Sequence, residues 1–331
     1  MIDLPLIWAI IIASAVLTYA LLDGFDLGVG ILFLLFDDQQ KGVAIHTIAP
    51  IWDGNETWLV LGGGGLLAAF PLAYSSLLTA FYAPVIAMLL ALVFRGVSLE
   101  YREKTMRGQP FWNFGFWLGS IVAAFSQGVM LGGFIQGVEV TDRVYSGGWF
   151  DWLTPYSVTC GVAIVVGYAL LGSTWITMKT HGLAERVQFA QLPLLGSVFF
   201  LIVLISTWTP FLDNRLFERW FVFPNVLWLA PVPTLVFGVT LMLARALKNG
   251  AEQRAFYLAE VLFIVTFIGF GISTYPYIVP HGITIWDAAA PDSSLSFLLV
   301  GTLILLPLII AYTIHSYWVF RGKVHNESSY H

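Results

Sequence analysis

Long apolar segments separated by short polar ones follow one another along the whole chain. A helix needs roughly 20 apolar residues to cross a hydrocarbon core of about 30 Å, because each residue adds about 1.5 Å. Nine segments approach or exceed that length, near residues 7–36, 54–73, 79–97, 113–136, 157–178, 188–209, 225–246, 256–279 and 296–319. The pattern therefore predicts an all-α polytopic membrane protein with about nine transmembrane helices. The second segment fits least well, since it contains two acidic residues and four consecutive glycines.

The composition agrees with a membrane protein. Of 331 residues, 58% are apolar and 11% are charged, whereas soluble domains carry about 25% charged residues. Cys160 is the only cysteine, so an internal disulfide and a site built from several thiolates are excluded. No Lys or Arg precedes Lys41, and a secretory signal would need a positive start, so we expect the first span to be retained.

The positive charges predict how the chain is oriented. If nine spans alternate in direction, twelve of the 15 Lys and Arg residues fall on one face and three, Arg143, Arg215 and Arg219, on the other. The positive-inside rule then places the N-terminus outside and the C-terminus in the cytoplasm.

One integral membrane domain, 1–331, accounts for the whole chain, because no loop is long enough for a soluble domain. The tetrapeptide Tyr-Ala-Leu-Leu occurs at 19–22 and again at 168–171, in spans of the same predicted orientation. A tandem pair of four-helix units, about 1–150 and 151–290, followed by a peripheral ninth helix at about 296–319, would produce this repeat. The alternative explanation is that a tetrapeptide of this kind recurs by chance in apolar segments.

Two carboxyl groups lie where lipid should exclude them. Asp23 and Asp26 fall about 24 and 28 Å from the outer end of the first span, within the cytoplasmic half of the membrane. Their i,i+3 spacing places both on one helix face, which must meet protein or water because a carboxylate in hydrocarbon is costly. A structural pair held by hydrogen bonds and a proton relay are both compatible with this pattern.

A second acidic pair, Asp53 and Glu56, stands at the predicted cytoplasmic start of the second span. The same spacing is typical of an N-terminal capping box. Against capping alone, a hairpin turn centred near Lys41 would bring residues 26 and 56 to similar depth. Four carboxyls meeting across two antiparallel helices would have to share or carry protons, which favours a functional cluster.

The histidines argue against a heme bound within this chain. The six are His46, His181, His281, His315, His325 and His331, and only His315 lies in a predicted span. A membrane cytochrome that holds a heme between two histidines needs both of them at depth. The chain also lacks a phosphate-binding loop and histidine or cysteine spacings typical of zinc sites. We therefore expect no cofactor and no metal in this chain, and nothing indicates nucleic acid as a partner.

The acidic segments resemble the signature sequences of subunit II of cytochrome bd-type quinol oxidases. They read DGFDLGVG at 23–30 and PIWDGNETW at 50–58, and the likeness continues in FRGVSLEYR at 94–102, in Gly119-Ser120, in Gln127-Gly128 and in Tyr275-Pro276. The resemblance covers most of the chain. The chain has no long insertion between spans six and seven, and in this it resembles the shorter branch of the family, which includes cyanide-insensitive oxidases.

The resemblance implies a respiratory complex in the bacterial cytoplasmic membrane. Subunit II of this family forms a heterodimer with subunit I, which carries hemes b and d and oxidises quinol. A small single-span accessory subunit is a further expected partner, and lipid or quinone would bind in the membrane. The complex reduces dioxygen to water with cytoplasmic protons, and subunit II stabilises its partner and contributes a proton path.

Carried onto this chain, the motifs make Asp53 the expected entrance of that path, with Asp26 and Asp23 behind it. Glu56 is an addition from the hairpin argument above, and Trp58 is a candidate for lining an oxygen route. Two other functions stay open at this point. A proton-coupled transporter or channel would also bury carboxylates but normally has broken helices near midplane, and a purely structural assembly subunit would tolerate Asp-to-Asn changes.

Overall fold

A computed structural model describes residues 3–280 and 282–324. This part of the chain is almost entirely helical, as the apolar pattern predicted. The helices are α1 Leu4–Leu32, α2 Asp38–His46, α3 Trp52–Ala69, α4 Pro71–Ala80, α5 Tyr82–Arg102, α6 Gln109–Gln136, α7 Pro155–Lys179, α8 Ala184–Trp208, α9 Asn214–Phe221, α10 Asn225–Leu229, α11 Pro231–Lys248, α12 Glu252–Thr274, α13 Ile285–Ala288 and α14 Asp292–Val319.

Two short antiparallel hairpins occupy the connections that the sequence marks as the longest outer ones. In the first, β1 (Val140–Thr141) pairs with β2 (Val144–Tyr145), and in the second, β3 (Tyr277–Val279) pairs with β4 (Ile283–Thr284). Short 3-10 turns at Phe33–Leu35, Met106–Gly108 and Thr209–Phe211 complete the regular structure.

Eight helical segments of the described chain are long and apolar enough to cross a membrane, one fewer than the nine predicted spans. The difference is the second predicted span, 54–73. It forms α3, whose 18 residues end at Ala69 before Pro71 starts α4. Proline is favoured at the first turn of a helix but disrupts a helix interior, so the apolar run is divided. The two acidic residues and the glycine run keep α3 less apolar than the other eight.

Helix α1 lies at the centre of the bundle, where it packs against α3, α6 and α7. Its contact with α7 depends on two glycines. A Cβ atom on Gly28 would stand 1.9 Å from the Tyr168 carbonyl oxygen, and one on Gly172 would stand 2.2 Å from the Gly28 carbonyl carbon. The two backbones touch at this point, which only glycine permits.

Helix α14 lies at the edge of the bundle, as predicted for the ninth helix. It packs against α1 and α3, and most of its large apolar side chains are exposed. Its N-terminal end is held where Trp8 Nε1 donates to the Leu295 carbonyl oxygen at 3.1 Å. At its C-terminal end, Lys179 of α7 donates to the carbonyl oxygens of Phe320 and Gly322.

Helix α5 continues five residues beyond the predicted span, which ended at residue 97. Arg102 therefore lies within the helix, as does Arg95 inside the predicted span, and the two have 5% and 0% of their surface exposed. Counting Arg95 among the loop charges of the cytoplasmic face was wrong. Eleven positive residues against three remain for that count, so the predicted orientation is unchanged.

Candidate functional site

Two helices bring carboxyl groups to one arginine of a third helix in the interior of the bundle. Arg95 of α5 places Nη2 3.0 Å from Asp23 Oδ1 and 3.9 Å from Asp26 Oδ2, both on α1. Its Nη1 donates to Glu56 Oε1 of α3 at 2.6 Å. The Arg95 guanidinium also lies 5.5 Å from the centre of the Trp52 ring, a cation–π distance. We call Asp23, Asp26, Glu56 and Arg95 the carboxylate cluster.

Burial makes the charge balance of the carboxylate cluster important. Asp23, Asp26 and Arg95 have no exposed side-chain surface, and only Glu56 is partly exposed, at 25%. Charges attract and repel strongly where water is excluded. One guanidinium offsets one of three ionised carboxyls, and the remaining negative charge would be costly in the membrane interior. Protons held on the carboxyls would lower this cost.

Asn55 joins the carboxylate cluster to α14. Its Nδ2 donates to Asp26 Oδ2 at 2.7 Å and to the Leu22 carbonyl oxygen at 3.3 Å. Its Oδ1 accepts from the Tyr317 hydroxyl at 2.9 Å. The side chain of Asn55 is therefore fixed in one orientation, with its amide group between a carboxyl and a phenol.

A second hydrogen-bond chain reaches the carboxylate cluster from α6 and α7. The Tyr168 hydroxyl donates to Gln127 Oε1 at 2.8 Å, and Gln127 Nε2 donates to the Tyr19 hydroxyl at 2.8 Å. The Tyr19 hydroxyl lies next to the Asp23 carboxyl. Side chains from five helices thus converge on Asp23 and Asp26, and these helices are α3, α5, α6, α7 and α14.

The structure brings together some, but not all, of the four carboxyls that were predicted to meet. Residues 26 and 56 do lie at similar depth, since the neighbour of Glu56, Asn55, bonds Asp26 directly. Three of the four carboxyls meet, but Asp53 is exposed in the first turn of α3 and lies outside the carboxylate cluster. It is within electrostatic range of Glu56. Asp53 is therefore not a fourth member of the cluster.

The capping interpretation of the second acidic pair is wrong. Helix α3 begins after Ile51, and no side chain caps its first turn. Asp53 is the second residue of that helix, so it lies too far along to be the cap residue. Glu56 points to Arg95 on a neighbouring helix and not back to its own helix terminus.

Trp58 is buried one turn beyond Asn55. It packs with Ala15 and Tyr19 of α1, and its Nε1 has no hydrogen-bond partner among the described residues. The Trp58 ring therefore forms part of the apolar boundary between α1 and α3.

Sequence reasoning missed Arg95, the residue that organises the carboxylate cluster. A signal was present, because Arg95, Ser98 and Arg102 follow the i, i+3, i+7 spacing of one helix face. All three are buried. A polar stripe with that spacing inside a span indicates a face turned towards protein. Asn55 and Tyr317 carry no such signal, since they lie on helices far apart in sequence.

The described residues contain no group of three or more His, Cys, Asp or Glu side chains that could hold a metal ion. His315 is exposed on α14, and His46 Nε2 lies 3.0 Å from Glu103 Oε1 at the cytoplasmic-side end of the bundle. His281, His325 and His331 lie outside the described residues.

The chain is similar to known proteins over nearly its whole length. Residues 4–320 match the model of a family described as cytochrome bd terminal oxidase subunit II. Cytochrome bd-I ubiquinol oxidase subunit 2 of Escherichia coli strain K12 is 30% identical, over 98% of this chain and 96% of that protein. Cytochrome bd ubiquinol oxidase subunit 2 of Bacillus subtilis strain 168 is 29% identical, over 96% of each chain.

The fold also has a match among solved structures. A chain from the structure of bd oxidase from Geobacillus thermodenitrificans superposes with a TM-score of 0.79 at 18% sequence identity, covering 97% of this chain and all of the other.

Proposed function

Because this chain belongs to the cytochrome bd terminal oxidase subunit II family, we propose that it is the subunit without heme in a quinol oxidase that reduces dioxygen to water. The family resemblance of the acidic segments is confirmed, and the chain is a multi-pass protein of the bacterial cytoplasmic membrane. Its proposed partners are a subunit I that carries hemes b and d, in a heterodimer, and a small single-span subunit.

We propose that this chain supplies protons to the heme-bearing partner. Dioxygen reduction consumes one proton for each electron, so a path from the cytoplasm to a buried reaction centre is needed. The observation that carries the proposal is the carboxylate cluster, in which three carboxyls surround one arginine in the membrane interior. Groups that gain and lose protons at low energetic cost are suited to such transfer.

The proposed path begins at Asp53, which is exposed at the predicted cytoplasmic face. Glu56 is partly exposed one turn further along α3 and within electrostatic range of Asp53. A proton would pass from Asp53 to Glu56, then to Asp23 and Asp26 around Arg95, and from there to the partner. Arg95 stays protonated throughout, so it orients the carboxyls and does not carry the transferred proton.

Trp58 would border a route for dioxygen. Its ring lies in the apolar contact between α1 and α3, and dioxygen is an apolar molecule that partitions into such regions.

A bound lipid or quinone is a further proposal. A groove of about 450 Å³ between α5 and α6, lined by apolar residues such as Leu90, Val97 and Val122, suits an acyl or isoprenoid chain.

The test uses the oxidase complex purified in mild detergent from membranes that express Asp53→Asn or Asp26→Asn. Each change keeps the size of the side chain and removes its ability to exchange a proton. We expect quinol-dependent oxygen uptake to fall on the order of tenfold or more, with the reduced-minus-oxidised heme spectrum unchanged per complex. Asp142→Asn is the matched control, because Asp142 is exposed in the first hairpin at φ 50°, a conformation that asparagine also adopts.

A purely structural assembly role is the second candidate, and it has its own supporting observation. The carboxylate cluster ties α1, α3 and α5 together, which would also serve stability alone. In that case Asp53→Asn would change neither heme content nor oxygen uptake, and Asp26→Asn would leave the uptake per heme unchanged, so that any loss of uptake would equal the loss of heme. The transporter alternative has less support, since the helices that carry the cluster, α1, α3 and α5, run unbroken through it.

A further inference from the structure

Glu260 is an acidic residue in the middle of α12 that the path above does not use. Phe256 lies one turn before it and Phe263 one turn after it, so the three share a helix face. Phe256 contacts the rings of Phe25 and Trp175, with centroids 5.7 and 5.3 Å apart. The Phe263 ring stacks on a tyrosine of α7 at 5.8 Å. Glu260 therefore lies on the face of α12 that is turned towards α1 and α7, and it is half-buried.

Among the residues that the structure describes, no cation acts on Glu260. Its Oε1 is buried and has no hydrogen-bond partner among the described residues, and no charged neighbour acts on this carboxyl within the same part of the chain. An ionised carboxyl without a partner costs several kcal/mol in the membrane interior. Glu260 differs in this respect from Glu56, which bonds Arg95. A proton on Glu260 in the resting state would avoid this cost.

Two tyrosines lie near both Glu260 and the carboxylate cluster. Tyr168 is within electrostatic range of both Glu260 and Asp23. Tyr317 is within electrostatic range of Glu260, Asp23 and Asp26. Each phenol is thus close to the isolated acid and to members of the cluster.

The two phenols are better suited to proton transfer than the amides that hold them. Tyr168 donates to Gln127 and Tyr317 donates to Asn55. An amide relays a proton only by passing through its imidic acid, an unfavourable form, whereas a hydroxyl both donates and accepts. The amides therefore hold the two hydroxyls in place, near both Glu260 and Asp23.

We propose that Glu260 is a proton-holding site of this chain, which exchanges its proton with the carboxylate cluster across the hydroxyls of Tyr168 and Tyr317. In the exchange an O–H bond breaks at Glu260 and one forms at an ionised carboxyl of the cluster, and no electrons are transferred. The site would store a proton inside the membrane between turnovers. Its coupling to turnover rests on the proposed function, whereas the resting protonation of Glu260 does not.

The decisive measurement is infrared difference spectroscopy of the purified complex, reduced minus oxidised, in H2O and in D2O. A protonated carboxyl has a carbonyl stretch separate from that of a carboxylate, and its frequency shifts on deuteration. We expect E260Q to remove one such band and to lower oxygen uptake on the order of tenfold, with an unchanged KM for quinol. Glu139→Gln is the control, because Glu139 is exposed beside the first hairpin, and it should keep the band.

An E260Q spectrum identical to that of the native complex would overturn the proposal. If E260Q does not assemble, E260D decides, since an aspartic acid keeps the proton and should move the band to a new frequency, whereas an unmoved band contradicts the assignment. Asp26→Asn measured in the same way separates the two proposals. Slow uptake in Asp26→Asn with no effect of E260Q removes only Glu260, whereas a Glu260 band with normal uptake in Asp26→Asn removes only the proposed path.

Discussion

At the scale of single residues, Arg95 is the residue on which the buried acids depend. It contacts Asp23, Asp26 and Glu56 from two different helices, and its burial is complete. Removing one partner of a buried ion pair leaves the other charge without compensation, and this commonly costs about 3–5 kcal/mol. Arg95 therefore supports the packing of three helices as well as the proposed proton chemistry.

Arg95→Leu should lower the thermal stability of the complex and the yield of heme-bearing complex, because three carboxyls then lie together without a cation. The expected destabilisation is about 3–5 kcal/mol, measured as a lower melting temperature in detergent. Arg186→Leu is the control, since Arg186 is exposed at the start of α8 and should change little. Adding Asp23→Asn to Arg95→Leu should recover part of the loss, and a double variant no more stable than Arg95→Leu would contradict this account.

At the scale of elements, the contact between α1 and α7 positions the acidic face. Gly28 lies two residues after Asp26, and it meets the α7 backbone at Tyr168 and Gly172. Gly24, directly after Asp23, faces the Tyr168 ring, where a Cβ atom would stand 2.7 Å away. The glycines of the first acidic segment thus let α7 approach so closely that its tyrosine reaches the acids.

Gly28→Ala should push α1 and α7 apart, because its new methyl group would overlap the Tyr168 carbonyl oxygen. Overpacking of this kind commonly costs about 1–3 kcal/mol, and contact with backbone leaves little room for adjustment. Melting temperature and heme content of the purified complex report the loss. Gly196→Ala in α8 is the matched control, since its Cβ would meet nothing within 4 Å. Equal melting temperatures for the two variants would show that the glycine contact is not needed.

At the scale of the whole molecule, the ends of successive helices alternate between two faces. The hairpin of β1 and β2 and the helix α9 carry Arg143, Arg215 and Arg219 on one face. The remaining basic residues outside the helix interiors lie at the opposite ends of the helices. The positive-inside rule makes the second face cytoplasmic, which would put Asp53 in contact with the proton source.

Labelling of introduced cysteines in intact cells tests this orientation. Glu139→Cys, beside the first hairpin, should react with a membrane-impermeant thiol reagent, and Glu185→Cys, at the start of α8, should react only after the cells are permeabilised. Both positions are exposed, and the native Cys160 is buried, so background labelling is low. The reverse labelling pattern would invert the chain and place Asp53 outside, which is incompatible with a cytoplasmic entrance.

The sequence by itself determined the class of fold and the segment of each long helix. Burial of an apolar run in lipid depends on local composition, so length and hydropathy suffice to find α1, α5 to α8, α11, α12 and α14. It also determined that Asp23, Asp26 and Glu56 are exceptional, because a charge inside an apolar run is visible without knowledge of its neighbours. The acidic motifs were specific enough to indicate the family.

Only the tertiary structure decided which groups meet these acids. Arg95, at the end of a predicted span, was assigned to a loop because hydropathy cannot show where a helix end is buried against other helices. Asp53 and Glu56 share one sequence motif, yet one is exposed and the other bonds Arg95. Tyr317 reaches Asn55 across 262 positions of the chain. Such contacts depend on how helices pack, which is set by the summed fit of many side chains and has no local signature.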